Sequence, residues 1–156
     1  MNRTRLLNVS ILALGCTFSG DLRAQTIDPD FRPELVSVEF TSRRIRPGDP
    51  FAMTLQFRNA GRAAAKADYR VFVHFEAPEA LCAQLILNAD HAPDEPTTLW
   101  RPGKLMVDGP RLLRAPIDQP EQTYHVHVGL YDVDGTGDRL LDTYSAGTIQ
   151  VTSDAP

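Results

Sequence analysis

The sequence predicts an all-β domain, an antiparallel two-sheet sandwich of immunoglobulin-like topology, with a jelly roll as the alternative. Three observations predict it. About seven to nine short segments rich in strand formers alternate with turn signals. No stretch keeps a helical repeat over several turns. All 12 prolines fall after residue 24, where they punctuate the apolar runs.

The chain opens with a basic Met1–Arg5 segment and an apolar run from Leu6 to Phe18, broken by Asn8, Ser10 and Thr17. A small-residue exit at Asp21–Gln25 follows. This is the plan of a secretory signal, and the apolar core is too short for an ordinary membrane span. Two processing routes are open. Cleavage after Ala24 releases a periplasmic or extracellular domain with no transmembrane segment. Alternatively, Leu12-Ala13-Leu14-Gly15-Cys16 is a lipoprotein box in which Cys16 becomes a lipid anchor.

Removing residues 1–24 takes Arg3, Arg5 and Arg23 from 16 basic residues and Asp21 from 20 acidic ones. The net charge of the remainder is then −6, which argues against nucleic acid as a partner. Cys82 is the only cysteine left, so no intrachain disulfide forms and the core must suffice. A buried inert thiol is one reading of Cys82; a reactive thiol or an intermolecular bridge is the other.

The elements follow in order. Residues 25–34 read as a flexible lead-in, 35–152 as the sandwich and 153–156 as a tail. Leu35–Phe40 is strand-like, and Arg46–Pro50 is a turn. Phe51–Phe57 alternates with period two, placing Phe51, Met53, Leu55 and Phe57 on one face. Asn59-Ala60-Gly61 closes it. Tyr69–Glu76 sets Tyr69, Val71, Val73 and Phe75 against Arg70, Phe72, His74 and Glu76. One helical turn is expected at Pro78–Cys82, a strand at Gln84–Asn88 and a loop from Asp90 to Gly103. Strands at Leu105–Val107, Arg111–Arg114, Tyr124–Val133, Arg139–Tyr144 and Thr148–Thr152 complete the sheets.

Four groups of residues carry candidate chemistry. His125 and His127 share one strand face, opposite Tyr124, Val126, Val128 and Leu130, and His74 lies on the polar side of its own strand. If those strands are neighbours, three imidazoles converge as they do on zinc or copper; otherwise they are polar residues on a solvated face. Asp132, Asp134 and Asp138, with Gly137 sixth in the run, match the first half of a calcium loop. Thr143 stands where such a loop needs glutamate, and a hairpin turn explains the same residues. In the long loop, an exposed Trp100 would offer an apolar face to a sugar ring, with Asp90 and His91 as hydrogen-bond partners. A Trp100 that pins the loop to the core is the competing reading. The fourth group is catalytic, and it is empty. Of the four serines after residue 24, none lies in Gly-x-Ser-x-Gly, and no paired-cysteine or His-Glu-x-x-His pattern occurs, so the chain reads as non-enzymatic.

Val73-His74, then Asp90-His91-x-Pro93-x-x-Pro96-Thr97-x-x-Trp100-x-Pro102-Gly103, then Gly129-Leu130-Tyr131-Asp132 with Thr136-Gly137-x-Arg139-Leu140, resembles a β-sandwich module of bacterial envelope proteins. Such modules accompany membrane glycosyltransferases and exported glycan-active enzymes. The likeness spans about Leu35 to Val151, and no transferase or hydrolase domain accompanies it here. Lys104 stands where the pattern carries glutamate, which leaves that position without the expected role. The resemblance implies the sandwich fold more than a function; taken with the residues, the chain reads as a non-catalytic accessory module that recognises a glycan or an envelope protein. Asp90, His91, Trp100 and Tyr131 are then the expected contacts. The alternatives are a zinc- or copper-binding protein using His74, His125 and His127, and a structural interaction domain that pairs an edge strand with a partner.

Overall fold

The computed structural model describes residues 30–78, 84–118, 120–133 and 144–155. Residues 1–24 with Cys16, residues 25–29 of the expected lead-in, residues 79–83 with Cys82 and the rest of the expected helical turn, Asp134 and Asp138, and residues 139–143 lie outside them. Among the described residues, eight strands form two sheets: β1 (Pro33–Phe40), β2 (Arg44–Ile45), β3 (Pro50–Asn59), β4 (Arg70–Ala77), β5 (Gln84–Asn88), β6 (Leu105–Arg114), β7 (Gln122–Tyr131) and β8 (Tyr144–Val151). One sheet is ordered β1-β3-β6 and the other β2-β8-β7-β4-β5. The pairing is antiparallel apart from the two-residue β2–β8 contact. The larger sheet curls into a half-barrel.

Alternation builds the core. Phe51, Met53, Leu55 and Phe57 of β3 face Val71, Val73 and Phe75 of β4, and Tyr124, Val126, Val128 and Leu130 of β7 complete the same cluster. β3 and β4 belong to different sheets, so the Phe51–Phe75 contact spans the gap between them. Its ring centroids are 5.9 Å apart at 83°, an edge-to-face pair that the ring quadrupoles favour. Each such side chain removed from water contributes roughly 1.5–3 kcal/mol.

Several boundaries differ from expectation. The lead-in is tied down from Asp30 onward. Phe31 is buried beside Tyr69 and Trp100, and the Asp30 and Arg32 carbonyls accept hydrogen bonds from Arg62, Ala63 and Ala60. A lone aromatic among prolines outweighed their turn signal. The segments expected at Leu105–Val107 and Arg111–Arg114 are one strand, β6, whose ladder to β3 changes register between Met53 and Leu55. Gly109 sits at that irregularity with φ near 111°, and a Cβ there would lie 2.8 Å from the Met53 carbonyl oxygen. Only glycine lets the strand pass. The last expected strand, Thr148–Thr152, falls within β8 up to Val151, and β8 begins earlier, at Tyr144; of the strand expected at Arg139–Tyr144 only Tyr144 is among the described residues.

Candidate functional site

The loop from Asp90 to Gly103 runs from the larger sheet to β6 of the smaller one, and its motif residues hold it there. His91 makes an isolated bridge with Val71, each backbone N–H donating to the other's carbonyl at 2.9 Å. Its ring Nδ1 lies 2.7 Å from the Ala89 carbonyl oxygen, and its Nε2 lies 2.6 Å from Asp108 Oδ2. Asp108 Oδ1 accepts from Arg111 Nη2 at 2.8 Å and from the Asp94 backbone N–H at 3.0 Å. Asp108 is 1% exposed. Burial pushes its carboxyl up, but the hydrogen bonds from His91 and Arg111 together outweigh that and hold it below the usual carboxylate range.

Further along, the Thr97 hydroxyl accepts from the Tyr69 N–H and donates to the Ala67 carbonyl, both at 2.9 Å. Pro96 precedes a short 3₁₀ turn, Thr97–Leu99, that delivers Trp100 to the core. Trp100 is 0% exposed, with its rings 5.3 Å from those of Phe57 and its indole N–H donating to the Glu95 carbonyl at 2.8 Å. The expected sugar platform is therefore corrected: Trp100 presents no face to solvent, because its large apolar ring fills the end of the core. Lys104, at the position of the missing glutamate, donates to Glu95 Oε2 at 2.8 Å. Asp90 Oδ1 is held by the Val73 N–H and both His91 ring nitrogens by Ala89 and Asp108, and Tyr131 lies across β4 from them, opposite Arg70. The four expected contacts do not form one site.

The histidines behave differently. β4 and β7 are neighbours, with His74 opposite His127 and Glu76 opposite His125. The condition for convergence is met, and all three imidazoles sit on the sheet face away from the core. His74 Nε2 lies 3.3 Å from Asp90 Oδ1, which also accepts the Val73 N–H at 2.9 Å. His74 Nδ1 and His127 Nε2 flank the Glu76 carboxylate at 4.0 and 3.6 Å. The His125 and His127 rings are 6.5 Å apart. Phe72 lies beside His74 and covers Gly129, where a Cβ would fall 2.3 Å from the ring. As the side chains stand, no group of three or more His, Cys, Asp or Glu among the described residues is placed to hold a metal ion.

A third feature was missed from sequence. Leu105, Val107 and Leu112 of edge strand β6 are each more than half exposed, Leu112 at 78%. Their register partners on β3 are Arg58, Gln56 and Ala52. Asp108 and Arg111 were also missed, although Asp108 shares its alternation parity with the buried Met106, a signal that pointed it inward. Asp132 is half-buried, and residues 134–143 of the expected calcium loop lie outside the described residues.

No protein-family model matches the chain, and no curated protein matches it. Among solved structures, a β-glucosidase from Erythrobacter marinus aligns at 11% identity and TM-score 0.49, covering 78% of this chain and 16% of its own. A β-glucosidase from Listeria innocua aligns at 12% identity and TM-score 0.44, with the same coverages. The chain thus spans about a sixth of the length of these enzymes. A CARDB domain from Pyrococcus furiosus, solved in complex with di-metal ions, aligns at 17% identity and TM-score 0.42, covering 79% of this chain and 94% of its own. Similarities this low leave the activity of this chain to its own residues.

Proposed function

We propose that the chain is an exported, non-catalytic accessory domain, an immunoglobulin-like sandwich, that docks a cell-envelope protein on the outer face of β6. The observation that carries the reading is the apolar stripe Leu105, Val107 and Leu112 on an edge strand. Apolar side chains gathered on an open sheet edge gain by being covered, and an edge strand is a template for an extended partner segment. The middle of this edge is blunted. Asp94 accepts the Gly109 N–H at 2.9 Å, and Pro110 has no N–H to offer. That leaves a stretch on either side for contact. The basic and apolar leader supports export. Of the two partner classes, the protein is favoured over the glycan because the aromatic platform expected for a sugar is inside the core.

A photo-crosslinker placed at Leu112 tests the reading in cells that export the protein. One defined envelope protein should be trapped, and the trap should vanish when Leu105 and Val107 are replaced by glutamate. Trapping that survives those replacements, or none at all, contradicts the proposal. Specific binding on a glycan array would move the reading to the other partner class.

A further inference from the structure

We propose that His74, Glu76 and His127, with His125 beside them, form a binding site for a divalent transition-metal ion, zinc or copper, on the outer face of the five-stranded sheet. The site is independent of the β6 stripe, which belongs to the other sheet. Register brings the donors together. His74 faces His127 directly across the β4–β7 ladder, and Glu76 faces His125. Directly opposed Cβ atoms lie about 4.5–5.5 Å apart and diagonal ones about 7–8 Å, so three imidazoles and one carboxylate bound a patch that a single ion can span.

Distances sharpen it. Around a tetrahedral zinc with bonds of about 2.0–2.1 Å, neighbouring donors are roughly 3.3 Å apart. The spans from Glu76 Oε2 to His127 Nε2 and from Glu76 Oε1 to His74 Nδ1 are 3.6 and 4.0 Å. The side chains do not hold an ion as they stand: the two spans exceed that separation by about 0.3 and 0.7 Å and end on different oxygens of Glu76. Binding therefore requires Glu76 and the two rings to turn toward a common point, which the ion's own bonds would drive.

The surroundings of His74 suit a ligand. Its Nε2 lies 3.3 Å from Asp90, and Asp90 is itself fixed by the Val73 N–H. That leaves Nδ1 turned towards Glu76. A metal-bound imidazole commonly donates its other N–H to a carboxylate, which fixes the ring and raises its basicity. Phe72 restricts the same ring from its flank. His125, exposed at the outer end of the patch, is available as a further nitrogen donor. Neutral imidazole nitrogens with one carboxylate are a donor set that suits zinc and copper(II).

Calorimetric titration of the untagged full chain with zinc and with copper(II), at neutral pH, tests the site. The chain has only four histidines, so histidine-selective nuclear magnetic resonance with zinc identifies the ligands directly. The expected result is one ion per chain, with the ring signals of His74 and His127 shifted and that of His91 in place. His127→Gln and Glu76→Gln should each weaken binding roughly tenfold or more. Should either variant unfold, the exposed His125→Gln and the resonance map of the unaltered protein decide instead. Absence of stoichiometric binding, or binding that leaves the His74 and His127 signals unmoved, overturns the proposal.

Discussion

In the strap between Asp90 and Gly103, His91 closes both ring nitrogens on oxygen acceptors at 2.7 and 2.6 Å. On the open face of the larger sheet, His127 has a carboxylate oxygen only at 3.6 Å. Both regions carry histidine beside acid, yet they differ in what remains to be bonded. The strap is tied by short contacts: Asp108 takes His91, Arg111 and the Asp94 N–H, while Asn59 donates to the Ala63 and Trp100 carbonyls and accepts from Arg32 and Gly61, leaving only Arg111 Nε of these groups buried without a partner. The sheet face keeps long, loosely closed contacts near solvent. Motif residues that find their partners inside the fold serve architecture, and residues held near each other but unfinished are where a ligand can act.

The largest effect expected from breaking the strap is at its anchor. Trp100→Ala removes a fully buried ring from the junction with Phe57 and Phe31 and should cost about 3–5 kcal/mol, read by denaturant unfolding. Asp108→Ala comes next, at about 2–4 kcal/mol, because it strands the partners of a buried carboxylate. Its pH signature has a definite sign. A carboxyl held below its unfolded value contributes fully above the ordinary range near pH ~4, and the contribution is lost as pH falls through the lowered value. Unfolding free energy should therefore decline on acidification below about pH 4, and Asp108→Asn should lack that part of the decline.

A smaller cost is expected on the sheet face itself. Gly129→Ala drives a methyl into the Phe72 ring and should destabilise by roughly 1–3 kcal/mol through overpacking. A cost near zero would mean that Phe72 swings away freely and gives His74 no support. Least of all should come from Leu112→Glu and His125→Gln, both at exposed positions, each within about 0.5 kcal/mol by thermal unfolding. Larger losses there would assign those residues to the architecture and remove them from the contact surfaces proposed for them.

Much of the fold was legible because alternation reports burial directly. Every apolar residue assigned inward on Phe51–Phe57, on Tyr69–Phe75 and on Tyr124–Leu130 is buried. Strand adjacency is not a property of any one segment, which is why the histidine convergence could be stated only conditionally from His74, His125 and His127. The strap misled for a different reason. A proline-rich run holding a tryptophan reads as a plugged loop on average burial, with a presented loop as its rival, and the choice rests on Asn59, Thr97 and Asp108, partners scattered along the chain. Both halves of β6 were legible but their continuity was not, since Gly109 and Pro110 look like a break until the bulge in the β3 ladder is seen.

Trp100 is the only tryptophan in the chain, so its fluorescence reports on the strap without interference. Quenching by a neutral solute such as acrylamide, compared between the native and denatured protein, tests most directly whether the motif loop is architecture. The account predicts blue-shifted native emission that acrylamide barely quenches. Native emission as red and as readily quenched as that of the unfolded chain would contradict it.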